Sequence, residues 1–201
     1  MESVLTEIFH NKYKNNLWNS EESVSGEGSE LENTKHLRQK LQQLLQKYDV
    51  RSILDAPCGD LNWMKEIDLS NIKYIGADIV PDLIKRNKEK FNFDFRIIDV
   101  TKDELPKVDL IINRDCLVHL SNENIGKFIS NVKESGSKYL LTTSFIPGEN
   151  SDIPNGDWRP INLEIEPFNL TNPIDIINEN CKESSQSYTD KCMSLYDLKN
   201  F

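Results

Sequence analysis

The chain has 201 residues, enough to bury the core of one domain of ordinary size and too few for two comfortable ones. Its 24 Lys plus Arg stand against 33 Asp plus Glu, a net charge of -9 with no long basic run to offset it, so a nucleic-acid backbone is a poor partner. No apolar run approaches the roughly 18 residues of a membrane span, and Met1-Glu-Ser-Val-Leu-Thr-Glu7 lacks the basic start of a signal peptide, so a cytoplasmic protein off the membrane is expected.

In chain order, the first 30 residues read as an arm. A helical candidate runs from Glu2 to His10, and the chain then turns polar through Ser20-Glu-Glu-Ser-Val-Ser-Gly-Glu-Gly-Ser29. That composition suits a flexible linker, whereas Tyr13 and Trp18 just upstream suit a lid over a ligand; both readings stay open. Ser29 with Glu32 has the form of a capping box, and Leu37, Leu41, Leu44, Leu45 and Tyr48 follow at helical spacing, which predicts a helix over about 30–48.

From Arg51 strands and helices alternate. Strands are expected near 51–55, 73–77, 94–98, 108–113 and 138–143, with helices near 61–66, 81–90 and 121–134. Pro81 stands where a first helical residue is expected and Ser121 where an N-cap is. Alternation at this period implies right-handed crossovers and a parallel sheet with helices on both faces, a core spanning 50–145. Beyond Thr143 the rhythm breaks. The segment 144–173 carries Pro147, Pro154, Pro160, Pro167 and Pro173, which exclude a long regular helix. Ile174-Asp-Ile-Ile-Asn178 and Cys192-Met-Ser-Leu-Tyr-Asp-Leu198 then read as an antiparallel pair within a terminal hairpin, 174–201. The cysteines Cys58, Cys116, Cys181 and Cys192 have no CxxC spacing, and with His10, His36 and His119 they form no structural zinc signature. Reduced thiols and no metal are expected.

Three of the strands end in a carboxylate: Asp55, Asp78 and Asp99. In an open parallel sheet, ligands bind beyond the carboxyl ends of the strands, so the three acids should meet in one crevice suited to a nucleoside with a charged tail. Asp55 either caps a sharp turn or helps to place that tail. Gly59 permits a close approach of backbone to ligand. Asp78 follows Asp55 by 23 residues, near the roughly 20-residue offset at which an acid reaches ribose hydroxyls.

These residues also carry a family resemblance. Asp55-Ala-Pro-Cys-Gly59 resembles the first motif of class I S-adenosylmethionine-dependent methyltransferases, Asp78 and Asp99 the acids closing their second and third strands, and Val108-Asp-Leu-Ile-Ile-Asn-Arg-Asp115 their fourth motif. Together with Ser23-Val-Ser-Gly26, Arg114-Asp-Cys-Leu-Val-His-Leu120, Gly156-Asp-Trp-Arg-Pro160 and Asp190-Lys191, the set is similar to a group of small bacterial members. One departure is that Pro57 and Leu61 stand where the family has glycines.

The resemblance implies a Rossmann-like α/β fold, a mostly parallel seven-stranded sheet with an antiparallel last strand, forming a single domain over 1–201. It implies S-adenosyl-L-methionine as cofactor, held by Asp55, Ala56, Pro57, Gly59, Asp78, Ile79, Asp99, Val100 and Arg114, with Asp99 and the Val100 amide at the adenine. On the acceptor side, Asp115 and His119 are four apart and would share a face on a helical turn, with His119 as general base and Asp115 as its orienter, or His119 merely packs a buried turn. Trp158 and Arg159 are expected over the same crevice, Arg159 as a fork donor to an acceptor. The expected activity is O- or N-methylation of a small polar or carbohydrate-type molecule. A non-catalytic nucleoside-binding module remains an alternative. A nicotinamide oxidoreductase is disfavoured because Ala56-Pro-Cys-Gly-Asp-Leu61 is not G-x-G-x-x-G.

Overall fold

The structure, a computed structural model, describes residues 3–146, 149–183 and 186–200. Glu2, the expected start of the first helix, and Pro147 lie outside them. The elements in chain order are α1 (Val4–Lys14), α2 (Lys35–Lys47), β1 (Ser52–Asp55), β2 (Lys73–Asp78), α3 (Pro81–Lys90), β3 (Asp94–Ile97), β4 (Leu110–Asn113), α4 (Asn122–Glu134), β5 (Tyr139–Phe145), β6 (Asp175–Asn178), β7 (Cys181–Glu183), β8 (Gln186–Tyr188) and β9 (Lys191–Asp197). One seven-stranded sheet has the order β3-β2-β1-β4-β5-β9-β6, and β7 and β8 form a separate hairpin. The first five strands pair in parallel. β9 is antiparallel to both β5 and β6 and lies between them.

The period-two geometry of a strand sends alternate side chains to opposite faces, and the central strands are apolar on both. Leu54, Ile75, Ile111, Leu140 and Tyr196 enter one core, closed by Ile125, Phe128 and Val132 of α4. Ile53, Tyr74, Leu110, Ile112, Leu141 and Leu195 enter the other, closed by Leu37, Leu41, Leu44 and Leu45 of α2 and Ile84 of α3. Both faces are thus covered, as buried parallel sheets require.

Two local expectations fail, each for a physical reason. The 61–66 stretch forms only a single 3-10 turn, Met64–Glu66: Leu61 adopts φ 59°, a left-handed conformation that a helix cannot contain. The capping box at Ser29 is not made. Ser29 closes a short 3-10 turn, and α2 begins five residues later than expected, where the Thr34 hydroxyl donates back to the Glu30 carbonyl at 2.8 Å. Between β5 and β6 the proline-bearing segment holds no regular helix among its described residues, in line with its prolines, and covers the sheet itself. Ile161, Leu163 and Leu170 from it fill the α4-side core, and it is tied to β5 by the Phe145 amide donating to the Ile161 carbonyl at 2.7 Å.

Candidate active site

Strand order reverses at β1, which has β2 on one side and β4 on the other, and a crevice opens beyond the carboxyl ends of these strands. One pocket there is lined by Asp55, Pro57, Gly59, Asp78, Ile79, Asp99, Val100, Arg114, Asp115 and His119. Ala56 is the exception among the expected cofactor-side residues. It packs in the core at 1% exposure, and its carbonyl accepts the Asn113 amide at 2.6 Å.

The three strand-end acids differ in state. Asp55 accepts the Tyr74 hydroxyl at 2.6 Å, yet burial pushes its carboxyl up to about 7. Asp78 accepts the Val80 amide at 3.0 Å and the Gly59 amide at 3.3 Å, and burial pushes it up to about 6 despite those bonds. Such desolvated carboxyls are matched by a ligand that brings its own donors or positive charge. Asp99 is already engaged: Thr101 donates to one oxygen through its hydroxyl at 2.6 Å and amide at 3.1 Å, while Ser3 and Lys102 approach the other at 3.3 and 3.5 Å.

That Ser3 contact belongs to a roof that spacing alone did not place. Leu5, Phe9 and Tyr13 of α1, then Trp18, Val24 and Ser25, line the same pocket. His10 meets Asp82 of α3 at 3.0 Å. Asp60 accepts the Ser23 hydroxyl at 2.9 Å and the Val24 amide at 3.1 Å, and Asn62 donates to Glu22 and to the Ser29 carbonyl. Residues 20–30 are therefore pinned across the loop after β1. Gly59, at φ 54°, is needed because a Cβ there would run into the Ser25 hydroxyl; the close approach is that of the roof.

Beyond β4, Asp115 has φ 52° and His119 closes a short 3-10 turn, Leu117–His119. The left-handed residue breaks the shared helical face on which a carboxylate–imidazole pair was expected. Asp115 instead pairs with Lys191 Nζ at 2.8 Å and Arg114 Nη1 at 3.2 Å. Burial works against its charge, but Arg114 and Lys191 hold its carboxyl down to about 2. His119 is oriented by a different group, its Nδ1 standing 2.8 Å from the Asp157 carbonyl. A carbonyl only accepts, so Nδ1 carries the hydrogen and Nε2 the lone pair. Burial lowers the His119 pKa below its usual value, which keeps the ring neutral near pH 7.

Arg114 lines the pocket, but its guanidinium is committed. It donates to Glu179 at 2.6 Å and to the Gly28 carbonyl of the roof at 2.8 Å, and it lies 5.5 Å from the Trp63 ring centre. Burial opposes its charge, while Asp115 and Glu179 hold its pKa above the ordinary value. Glu179 and Lys191 are 0% and 3% exposed, and the two close a quartet of two cations and two anions at 4.0 Å. Lys191 carries a sequence signal only as part of the Asp190-Lys191 pair in the family resemblance, and Glu179 has none beyond being a charge next to an apolar strand.

Arg159 is a correction. It lies 5% exposed with its guanidinium spent on the Leu117 carbonyl at 2.9 Å, the Ser151 carbonyl at 3.2 Å and Asn122 at 3.1 Å, so it braces the turn carrying His119 rather than presenting a fork to an acceptor. Trp158 is 44% exposed and lines a second, adjoining pocket with Gly26, Glu27, Gly28, Phe145, Tyr188 and Lys191. The two pockets share Trp18, Ser25, Asp115 and His119, which places those four at the junction.

No protein-family model and no curated protein sequence matches the chain. Solved structures do. A S-adenosylmethionine-dependent methyltransferase from Clostridium acetobutylicum ATCC 824 matches with TM-score 0.61 and 12% identity over 82% of this chain and 92% of its own. The magnesium protoporphyrin IX methyltransferase ChlM from Synechocystis PCC 6803, solved with bound SAH, matches with TM-score 0.53 and 14% identity over 74% of this chain and 71% of its own. The PH0226 protein from Pyrococcus horikoshii OT3 is 23% identical with TM-score 0.46, the match spanning 59% of this chain and 62% of that one. Sheet order, the antiparallel β9 and the first two of these matches give the chain the class I methyltransferase fold.

Proposed function

We propose that the protein is an S-adenosyl-L-methionine-dependent methyltransferase acting on a small polar acceptor. The observation that carries this reading is the meeting of two pockets at His119 and Asp115, the first collecting Asp55, Asp78 and Asp99 from three strand ends. The donor set fits the cofactor: three carboxylates around a largely apolar cleft suit a ligand bearing two ribose hydroxyls, an exocyclic amine and a cationic tail. Asp78 would take the ribose diol, Asp55 the methionine end, and Asp99 with Val100 the adenine edge beside Ile79. When bound, the cofactor supplies a methyl on a sulfonium sulfur, the C–S electron pair staying with sulfur on transfer to the acceptor oxygen or nitrogen.

The chain's own contribution is then placement and a proton. Holding acceptor and methyl in line is worth about 7–11 kcal/mol in well-oriented systems, and the rigid junction of roof, β4 loop and β9 supports such placement. His119, neutral and with Nε2 bearing the lone pair, would receive a hydroxyl proton, while Asp115, already paired, stabilises the imidazolium that forms. The net charge of -9 favours a small acceptor over nucleic acid.

Calorimetric titration with S-adenosylhomocysteine tests the reading. Binding that Asp78→Ala abolishes or weakens supports it. Binding of a nicotinamide dinucleotide in its place would overturn it, and S-adenosylhomocysteine binding with no methyl transfer to any acceptor would favour a non-catalytic binding module.

A further inference from the structure

The second pocket has a wall chemistry that narrows its occupant. Phe145, Trp158 and Tyr188 form a fixed aromatic corner: Trp158 lies 5.5 Å from Tyr188 and 6.2 Å from Phe145 between ring centres, and Phe145 lies 5.9 Å from Tyr188. Phe145 is buried at 2% and anchors the corner, whereas Trp158 leaves 44% of its surface open. A large ring held rigid yet open over a cleft is an apolar platform for a ligand face.

The pocket's charged and imidazole side chains, its polar wall, are Glu27, Asp115, His119 and Lys191, and Ser25 also lines it. Its one cation, Lys191, is matched by Asp115 at 2.8 Å, and Arg114, outside this lining, is matched by Glu179 at 2.6 Å. Glu27 then leaves the wall with one excess negative charge. An anionic acceptor, a sugar phosphate or a carboxylate, would meet Glu27 and Asp115, and among the described lining residues no unmatched cation stands to hold it, Lys12 at 5.9 Å from the Trp18 ring centre lying outside that lining. A protonated amine would neutralise Glu27, but at Asp115, beside His119, it would meet the Lys191 ammonium already paired there. A phenol would cover the aromatic platform but strand the four polar groups without partners, at the desolvation cost of each. An uncharged ring with one C–H face and several hydroxyls satisfies both walls, because a hydroxyl donates to Asp115 and accepts from Lys191.

We propose that this pocket takes a neutral pyranoside, its C–H face on Trp158, adjacent hydroxyls on the Asp115–Lys191 pair, and the hydroxyl to be methylated at His119. The proposal rests on the methyltransferase reading, and its test separates the two. Saturation-transfer NMR is run on the protein with saturating S-adenosylhomocysteine and on the protein alone, against a panel of methyl pyranosides of neutral hexoses and 6-deoxyhexoses, the matching hexose phosphates, uronic acids and amino sugars, and catechol. At least one neutral pyranoside is expected to bind, with its ring C–H protons showing the strongest transfer. Trp158→Ala, an exposed position whose loss spares the core, is expected to weaken that binding at least tenfold while leaving S-adenosylhomocysteine affinity unchanged. Preference for the charged sugars or catechol, equal binding to Trp158→Ala, or no pyranoside binding in either state overturns the pyranoside assignment. Failure of S-adenosylhomocysteine itself to bind, with pyranoside still bound through Trp158, overturns the methyltransferase reading and leaves the pyranoside site standing.

Discussion

The two halves of the cleft are built by different means. On the cofactor side, each functional acid stands at or just past the end of its own short strand, so that Asp55, Asp78 and Asp99 are positioned by three parallel ladders. On the acceptor side, almost nothing is positioned locally. His119 is held by Asp157, its turn is braced by Arg159 across 42 residues, and Asp115 is held by Lys191 across 76. The first half is fixed by regular secondary structure, the second by buried charges and loop carbonyls. Changes on the first should therefore alter binding and leave the fold, while changes on the second should alter catalysis and stability together.

The largest expected effect is catalytic. His119→Asn is expected to lower turnover by about 10²–10⁴-fold with S-adenosylhomocysteine affinity intact, the usual range for a lost general base. The wild-type pH–rate profile should rise through a limb below about 6.5, because burial lowers the His119 pKa and the neutral ring is the active form; the variant should lack that limb. Full turnover in the variant would erase the distinction between the halves.

Next is Glu179→Ala, which leaves the buried Arg114 and Lys191 to share Asp115 alone. A loss of about 3–5 kcal/mol in urea unfolding is expected, far more than a strand-end acid should cost. Asp78→Ala is expected to weaken S-adenosylhomocysteine binding by about 2–3 kcal/mol in calorimetry, the range for bonds to a charged group, with unfolding little changed. Equal effects of both variants on stability would show that the halves are not built differently after all.

The smallest effect sharpens the same contrast through pH. Asp55 has a folded pKa raised to about 7 from an ordinary 3.8, so folding favours its protonated form and the stability this brings is lost as pH rises towards 7. Removing the charge with Asp55→Asn should therefore stabilise the ligand-free protein more at pH 8 than at pH 5, by about 2 kcal/mol in thermal or urea unfolding. Asp115 has the opposite sign. Its depressed pKa contributes stability above about pH 4 that is lost as pH falls towards 2, so Asp115→Asn should be most costly at neutral pH.

The same division explains how far the sequence could be read. Strands β1 to β5, α3 and α4 each carry their own period and punctuation, such as Pro81 at the first residue of α3 and Ser121 as the N-cap of α4, and an acid at a strand end needs no partner to be noticed. What escaped depends on distant pairing. Leu61 and Asp115 adopt left-handed backbone that their residue types do not announce, which removed a helix in one place and a shared helical face in the other. The Ser/Gly stretch 20–29 has a linker's composition, but Asp60, Asn62 and Arg114 hold it down from 33 to 86 residues away. Arg159 looked like a ligand fork because a free guanidinium and one spent on backbone carbonyls have the same sequence.

All three tryptophans of the chain fall in this cleft: Trp63 beside Arg114 in the cofactor pocket, Trp158 in the acceptor pocket, and Trp18 in the wall common to both. The tryptophan part of the protein's ultraviolet emission therefore originates from the lining of this cleft. Filling the first pocket should perturb Trp18 and Trp63, filling the second Trp18 and Trp158, and single Trp→Phe replacements would assign each change in emission to one chamber. On the proposed function, the molecule would carry an unlabelled optical readout of which of its two pockets fills first.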